Sequence, residues 1–386
     1  MNLRERIARR QRTDHAPRLV HDYDALNPVV HLDEPIGRGP ALERLLDHVE
    51  PAFEGVLPSN GYVYGPKGSG KSAVVSALFS QLTEMTGTGR SAIFTTTRGG
   101  TASPAEFVYV DARGANSDFG LHHAVLDALS DESVPEQGLG TAQLRERLRE
   151  ELRAYDRSVM VAVDHVCEPE THEATDVAAL FSPLPSLSWL CIGREHPDDV
   201  APDVRTLEFA TYRHHALVDV LTGRVSSGLA RHALTHEQVR ELAEWADGDA
   251  HDALAATFGA ADAALLAGHG SVLPDDVDEG MAAVPRPCVS LGRVLALPEN
   301  RRRVLRALID LEDDQRDSVG SAADAIAAGG SVDLSATTVK RVLYELSEAG
   351  IIRRVTRNSE GIGRPPSRLE TRFPTRVFRR LFDGEH

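Results

Sequence analysis

The chain has 386 residues, 41% of them hydrophobic and 26% charged, enough for roughly two or three domains with cores of their own and incompatible with a disordered polymer. No apolar run is long enough to cross a bilayer, the charged start MNLRERIARRQRT lacks the apolar stretch of a secretory signal, and three scattered cysteines (Cys167, Cys191, Cys288) make neither a disulfide framework nor a zinc spacing, so a reducing cytoplasm is expected. A net charge of −16 argues against a nucleic-acid surface spread over the whole molecule and makes local charge the better guide to partners.

Residues 1–27 read as a basic N-terminal arm, with Arg4, Arg6, Arg9, Arg10 and Arg12 set against Glu5. Residues 40–53 read as an amphipathic helix with Leu42, Leu45, Leu46 and Val49 on one face. From NGYVYG (Asn60 to Gly65) strands and helices alternate, with FVYVDAR (Phe107 to Arg113), VMVAVDHV (Val159 to Val166) and SWLCIG (Ser188 to Gly193) as further strands. That alternation predicts an α/β domain over 28–208, a parallel sheet with helices on both faces. Strands vanish after Phe209, so 209–290 is expected to be all-helical. A third unit, 291–386, begins with helices near 299–312 and 318–328. A helix from Ser335 to Ala349 and a basic, strand-like tail complete it.

GPKGSGKS, Gly65 to Ser72, fits G-x-x-x-x-G-K-S and stands between an apolar strand and an apolar helix, the context this phosphate-binding loop requires. Gly65, Gly68 and Gly70 let the backbone wrap phosphate; Pro66, Lys67 and Ser69 fill the rest of the loop. Lys71 is placed to reach the β- and γ-phosphates of ATP, or the β-phosphate of ADP, and Ser72 to ligate Mg²⁺. In SVMVAVDHV (Ser158 to Val166), Asp164 ends a strand where a parallel sheet presents its ligands, and is the second candidate for Mg²⁺. A kinase or GTPase would share this loop, but no N-K-x-D guanine signature is present.

In the C-terminal unit Ser335 is a good N-cap and Gly350 a good helix terminator, with Val339, Val342, Leu343 and Leu346 on one face. Thr337, Thr338, Lys340, Arg341 and Tyr344 point elsewhere. Three helices followed by two strand-like arms around GIGRPP is the order of a winged helix-turn-helix, whose third helix enters the major groove of double-stranded DNA. Arg364 at the tip is then a minor-groove candidate, and Arg368 a basic residue of the second arm. From Thr337 to Arg380 there are eleven basic and four acidic residues, hence +7 in a chain of −16.

These parts, in this order, resemble the origin-recognition and cell-division-cycle initiator ATPases of archaea, which are AAA+ proteins with an all-α lid and a C-terminal winged helix. The resemblance spans nearly the whole chain. Besides the phosphate loop it rests on PIGRGPALERLLDHVEP (Pro35 to Pro51), FATY (Phe209 to Tyr212) at the lid entrance and GDAHDAL (Gly248 to Leu254) in the lid. VPEQGLGT (Val134 to Thr141) lies where the family carries its initiator-specific helical insertion. The acidic, lysine-poor balance is similar to that of proteins from salt-loaded archaeal cytoplasms; a divergent paralogue is implied by the departures at His165 and His251 described next.

What the resemblance implies departs from the pattern at three places. His165 stands where the family has its catalytic Glu, His251 where the lid has a sensor Arg that reads the γ-phosphate, and Arg194 follows the strand where a polar sensor Asn is usual. Arg205, just before the lid, is the candidate arginine finger. The implied protein binds ATP as a conformational switch, hydrolyses it slowly or not at all, and sits on DNA in a cytoplasmic nucleoid, with a replicative helicase or its own subunits as further partners. An ATP-dependent winged-helix transcriptional regulator is the alternative. A P-loop enzyme acting on a small substrate would need polar substrate residues beside the loop.

Overall fold

The computed structural model describes residues 18–89, 105–155, 157–200, 204–356 and 367–384. Its centre is a five-stranded, wholly parallel sheet of order β2-β3-β4-β1-β5. The strands are β1 (Gly61–Tyr64), β2 (Glu106–Asp111), β3 (Val159–Asp164), β4 (Leu187–Ile192) and β5 (Arg205–Glu208). All six residues of β3 and of β4 are buried, as expected of parallel strands covered on both faces. One face is covered by α1 (Gly39–Val49) and α2 (Lys71–Gly89), the other by α3 (Asp118–Leu129), α4 (Thr141–Ala154) and α5 (Ala174–Phe181). In α4 an i, i+4 row of Leu144, Leu148 and Leu152 makes the buried stripe.

Three local expectations need adjustment. The α1 helix stops at Val49 and tightens into a 3-10 turn, Glu50–Glu54, because Pro51 has no N–H to continue the α ladder. VPEQGLGT contributes no helix of its own; α4 starts only at Thr141. β5 was not anticipated: RTLE buries a single side chain, Leu207, and offers no hydrophobic run to read.

A short helix, α6 (Pro197–Val200), precedes β5. The helical layer then comprises α7 (His214–Gly228), α8 (His236–Ala246), α9 (Ala250–Leu266) and α10 (Pro274–Ala282). The middle helix, α9, is buried over fourteen consecutive residues from His251 to Ala264. Small residues permit this: a Cβ on Gly259 would lie 3.2 Å from the Cα of Gly280 on α10. Within the stretch read as a basic arm, Leu19, Val20 and Leu26 are buried against these helices, and Val20 bridges Leu229.

The C-terminal unit holds α11 (Leu291–Leu295), α12 (Glu299–Asp310), α13 (Val319–Ala328), α14 (Ala336–Glu348), an antiparallel pair β6 (Ile352–Thr356) and β7 (Ser367–Thr371), and α15 (Thr375–Gly384). The expected face of α14, Val339, Val342, Leu343 and Leu346, is the buried one. Ser335 caps it by accepting the Thr338 amide, and Gly350 takes a left-handed φ of 72° at its end. One hydrophobic cluster runs from Leu19 through α9 to Phe382, so the helical layer and the C-terminal unit share a core. Among the described residues no helix is long and apolar enough to cross a membrane.

Candidate nucleotide-binding site

β1 lies between β4 and β5, so the loop that follows it opens beside the carboxyl ends of β4 and β3, where parallel sheets place ligands. A cavity of about 350 Å³ is found there, lined by the phosphate loop, the ends of β2, β3 and β4, the 28–36 segment, and Ala250 and His251 at the start of α9. The loop geometry depends on glycine. Gly68 has φ 69°, and a Cβ there would fall 2.0 Å from Asp249 Oδ1; one on Gly65, with φ 148°, would strike the Phe209 carbonyl oxygen at 2.1 Å.

Lys71 Nζ donates to the carbonyls of Gly65 and Pro66 at 2.7 and 2.8 Å, and lies 3.3 Å from Ser69 Oγ. Burial pushes its ammonium down to about 8, against the pull of Asp164. Asp164 is 1% exposed. It accepts from Tyr109 Oη at 2.5 Å, from the His165 amide at 2.7 Å and from the Ser72 hydroxyl. Burial alone would raise this carboxyl, but His165 and those three donors outweigh it and hold it ionised below its usual range. A divalent cation fits here by its donor chemistry: a hydroxyl and a buried carboxylate already meet, one strand end from the phosphate loop.

The start of α9 is fastened to the loop. Lys67 Nζ lies 2.6 Å from Asp249 Oδ2 and 2.5 Å from Asp252 Oδ1, and the Ala250 amide donates to the Gly68 carbonyl at 3.1 Å. Burial works against the Lys67 charge, but the two carboxylates more than compensate and its pKa rises. His251 lines the cavity but is already engaged. Its Nε2 accepts the Leu291 amide at 2.9 Å, which fixes the proton on Nδ1, and Nδ1 donates to Asp252 Oδ1 at 2.9 Å. Burial holds this imidazole neutral by lowering its pKa.

His165 directly follows β3 in a left-handed conformation, φ 65°. Its Nδ1 lies 3.7 Å from Glu168 Oε1 and its Nε2 4.0 Å from Asp111 Oδ2. Three charged neighbours in the cavity wall escaped the sequence reading in their roles: Glu168, Arg113 and Arg194. Arg113 grips Glu168 with two bonds of 2.8 and 2.9 Å, and Arg194 adds a third at 2.8 Å. Burial would raise the Glu168 carboxyl, but His165 and the two arginines hold it far below the carboxylate range. The signal was present: Arg113 and Arg194 each stand two residues beyond a strand end, and Glu168 four residues beyond Asp164.

The remaining candidates are dispersed. Arg205 opens β5 opposite Gly61, the first residue of β1, so it lies at the far end of the sheet from the phosphate loop of its own chain. On α14, Lys340 and Arg341 are exposed, and Arg354 on β6 lies 5.2 Å from the ring centroid of Tyr344. Thr338 shares its hydroxyl with Ser335 at 2.9 Å. Arg368 is turned to Asp313 at 2.7 Å, so it does not join the α14 patch. Arg364 lies outside the described residues. The +7 of the tail is partly neutralised as well, because Arg376 pairs with Glu279 and Arg379 with Asp310, acids outside the counted stretch.

Fold and loop together are those of a P-loop domain, and residues 34–192 match the AAA ATPase domain family. The resemblance to the archaeal origin-recognition and cell-division-cycle ATPases holds over almost the entire chain. A curated relative, the ORC1-type DNA replication protein 1 of Sulfolobus acidocaldarius, is 23% identical over 333 residues, 81% of this chain and 80% of that protein. The ORC1-type DNA replication protein 5 of Halobacterium salinarum is 27% identical over 175 residues, 43% of this chain and 37% of that one. The fold is shared with the Aeropyrum pernix Orc1 protein solved in complex with DNA (TM-score 0.63, 22% identity, 96% of this chain and 98% of that one). It is shared also with Cdc6p from Pyrobaculum aerophilum (TM-score 0.55, 18% identity, 95% and 99%).

Proposed function

We propose that this chain is an ATP- and DNA-binding protein of the replication-initiator type, in which ATP is a conformational ligand and is hydrolysed slowly. The observation that carries the nucleotide half is Ser72 bonded to the buried carboxylate of Asp164 beside Lys71, in a cavity that the lid helps to line. ATP would lie with its β- and γ-phosphates at Lys71, and ADP with its β-phosphate there. Ser72 and Asp164 would hold Mg²⁺, which supplies neutralisation of phosphate charge.

Slow hydrolysis follows from the groups near the attacking position. His165 lacks the charge of a carboxylate. The nearby carboxylate, Glu168, is spent on two arginines and is too weak a base in that state. His251, at the lid position of a sensor Arg, is neutral and committed to Asp252 and Leu291.

The domain reading is 28–208 for the nucleotide-binding unit, 209–290 for the lid and 291–386 for a winged helix. In that reading α14 enters the major groove and the β6–β7 arm is the wing. The exposed set Lys340, Arg341, Tyr344 and Arg354 supports it. So does the likeness to an Orc1 protein solved with DNA. Arg205 could act as a finger only on a neighbouring subunit's nucleotide.

The nucleotide half is tested by titrating full-length protein with MgATP and MgADP beside Lys71→Ala. Loss of binding in the variant is expected; equal affinity in both proteins would sink the assignment. Genome-wide occupancy separates an initiator, on a few origins, from a regulator on many promoters.

A further inference from the structure

We propose that His165 is a metal ligand: its imidazole joins Ser72 and Asp164 on the cation that accompanies the nucleotide, so that the site prefers a transition-metal ion such as Mn²⁺ or Co²⁺ to Mg²⁺. This rests on the nucleotide-binding reading above and adds to it the kind of cation taken.

The backbone puts the ring there. His165 directly follows β3, and three hydrogen bonds pin it and its neighbour. The His165 amide donates to Asp164 Oδ1 at 2.7 Å, its carbonyl accepts from Thr171 Oγ1 at 2.9 Å, and the Val166 amide donates to the Ile192 carbonyl at 3.1 Å. These contacts enforce the left-handed φ of 65°, which a non-glycine residue keeps only under constraint. The ring is thereby tied to the same strand end as the Asp164 carboxylate. It lines the cavity together with Ser72 and Lys71, and its side chain is 17% exposed.

Its nitrogens are not spent on protein partners. Nδ1 lies 3.6 Å from Asp164 Oδ1 and 3.7 Å from Glu168 Oε1, and Nε2 lies 4.0 Å from Asp111 Oδ2. Each of these distances is longer than a hydrogen bond. The acids themselves are engaged elsewhere: Glu168 by Arg113 and Arg194, and Asp164 by Tyr109 and Ser72. His251 shows the contrast, with one nitrogen bonded to the Leu291 amide and the other to Asp252. Two donors on one ion, each about 2.1 Å from it, lie roughly 3 to 3.5 Å apart, so Nδ1 and Asp164 Oδ1 need move little to share one.

Donor chemistry then decides the ion. Mg²⁺ takes oxygen ligands, holds on to several of its waters and gains little from an imidazole. First-row transition ions accept imidazole beside carboxylate and hydroxyl oxygens. A glutamate at position 165 would offer oxygen alone, whereas the histidine present adds a nitrogen.

The test uses full-length protein labelled with ¹⁵N-histidine and loaded with Mn²⁺ and ADP. Pulsed EPR should show the ¹⁵N coupling of a directly bound imidazole. That coupling should vanish in His165→Asn, since asparagine tolerates the left-handed backbone but brings no ring nitrogen. Calorimetric titration with ADP should show the ratio of Mn²⁺- or Co²⁺-supported to Mg²⁺-supported affinity falling by about tenfold or more in the same variant. A ring with a merely structural role would lower all of these affinities alike and leave the ratio unchanged, which overturns the proposal. So does the absence of coupling in the wild type, or a coupling that survives His165→Asn, as it would if His31 in the same cavity were the donor. Wild-type protein that binds no nucleotide with any of the three ions defeats the nucleotide-binding reading itself; binding of MgADP with neither coupling nor metal preference defeats this inference alone.

Discussion

His251 on α9 accepts a hydrogen bond from the Leu291 amide at 2.9 Å, and so ties the cavity wall to the first turn of the C-terminal unit. Arginine has no acceptor, so His251→Arg would leave that buried amide unpaired. Denaturant unfolding should show a loss of about 1–3 kcal/mol for this variant. A stability equal to wild type would show that the Leu291 bond contributes nothing.

Acid should destabilise the protein through its buried neutral histidines. Burial, reinforced by Arg205, pushes His48 down to about 4, and burial lowers His251 as well. In the unfolded chain both groups have ordinary values near 6.5, so between there and the folded value the unfolded state binds more protons. The His48 contribution is present above about pH 6.5 and is lost as pH falls toward about 4, on the order of 3 kcal/mol, and His251 adds to it in the same direction. Unfolding free energies across that window should fall with acid, and His48→Gln should flatten the fall.

Nucleotide binding should take up protons near pH 8. With the Lys71 ammonium lowered to about 8, part of the free protein carries it neutral at that pH, and phosphate restores the charged form. Affinity should therefore weaken above pH 8. Titrations in buffers of different ionisation enthalpy would measure the uptake; pH-independent affinity from 7 to 9 would exclude it.

Duplex binding should depend on the exposed face of α14. Lys340→Glu with Arg341→Glu should weaken it by about tenfold or more and reduce the slope of log affinity against log salt by roughly one to two units. Arg368→Ala should do much less, because that side chain is held by Asp313. Point variants are the right tool. Removing 291–386 would also strip the core shared with α9.

The phosphate loop, Asp164 and the buried face of α14 were legible because each is a local pattern: a spaced glycine motif, a fully apolar strand ending in an acid, a 3.6-residue stripe. β5 was not, since an edge strand that buries only Leu207 carries no periodic signal. Glu168, Arg113 and Arg194 come from three separate loops, and only the sheet order brings them together. Charge counting also overstated the basic tail. Pairs such as Arg376 with Glu279 join residues far apart in sequence, which no count along the chain reveals.

The most direct measurement is single-turnover ATP hydrolysis by the full-length protein, with and without duplex DNA. Very low wild-type turnover is expected, little changed in His165→Ala, with a gain in His165→Glu from a carboxylate placed at the end of β3 to orient water. A brisk wild-type rate that collapses in His165→Ala would contradict the account and make His165 a working base.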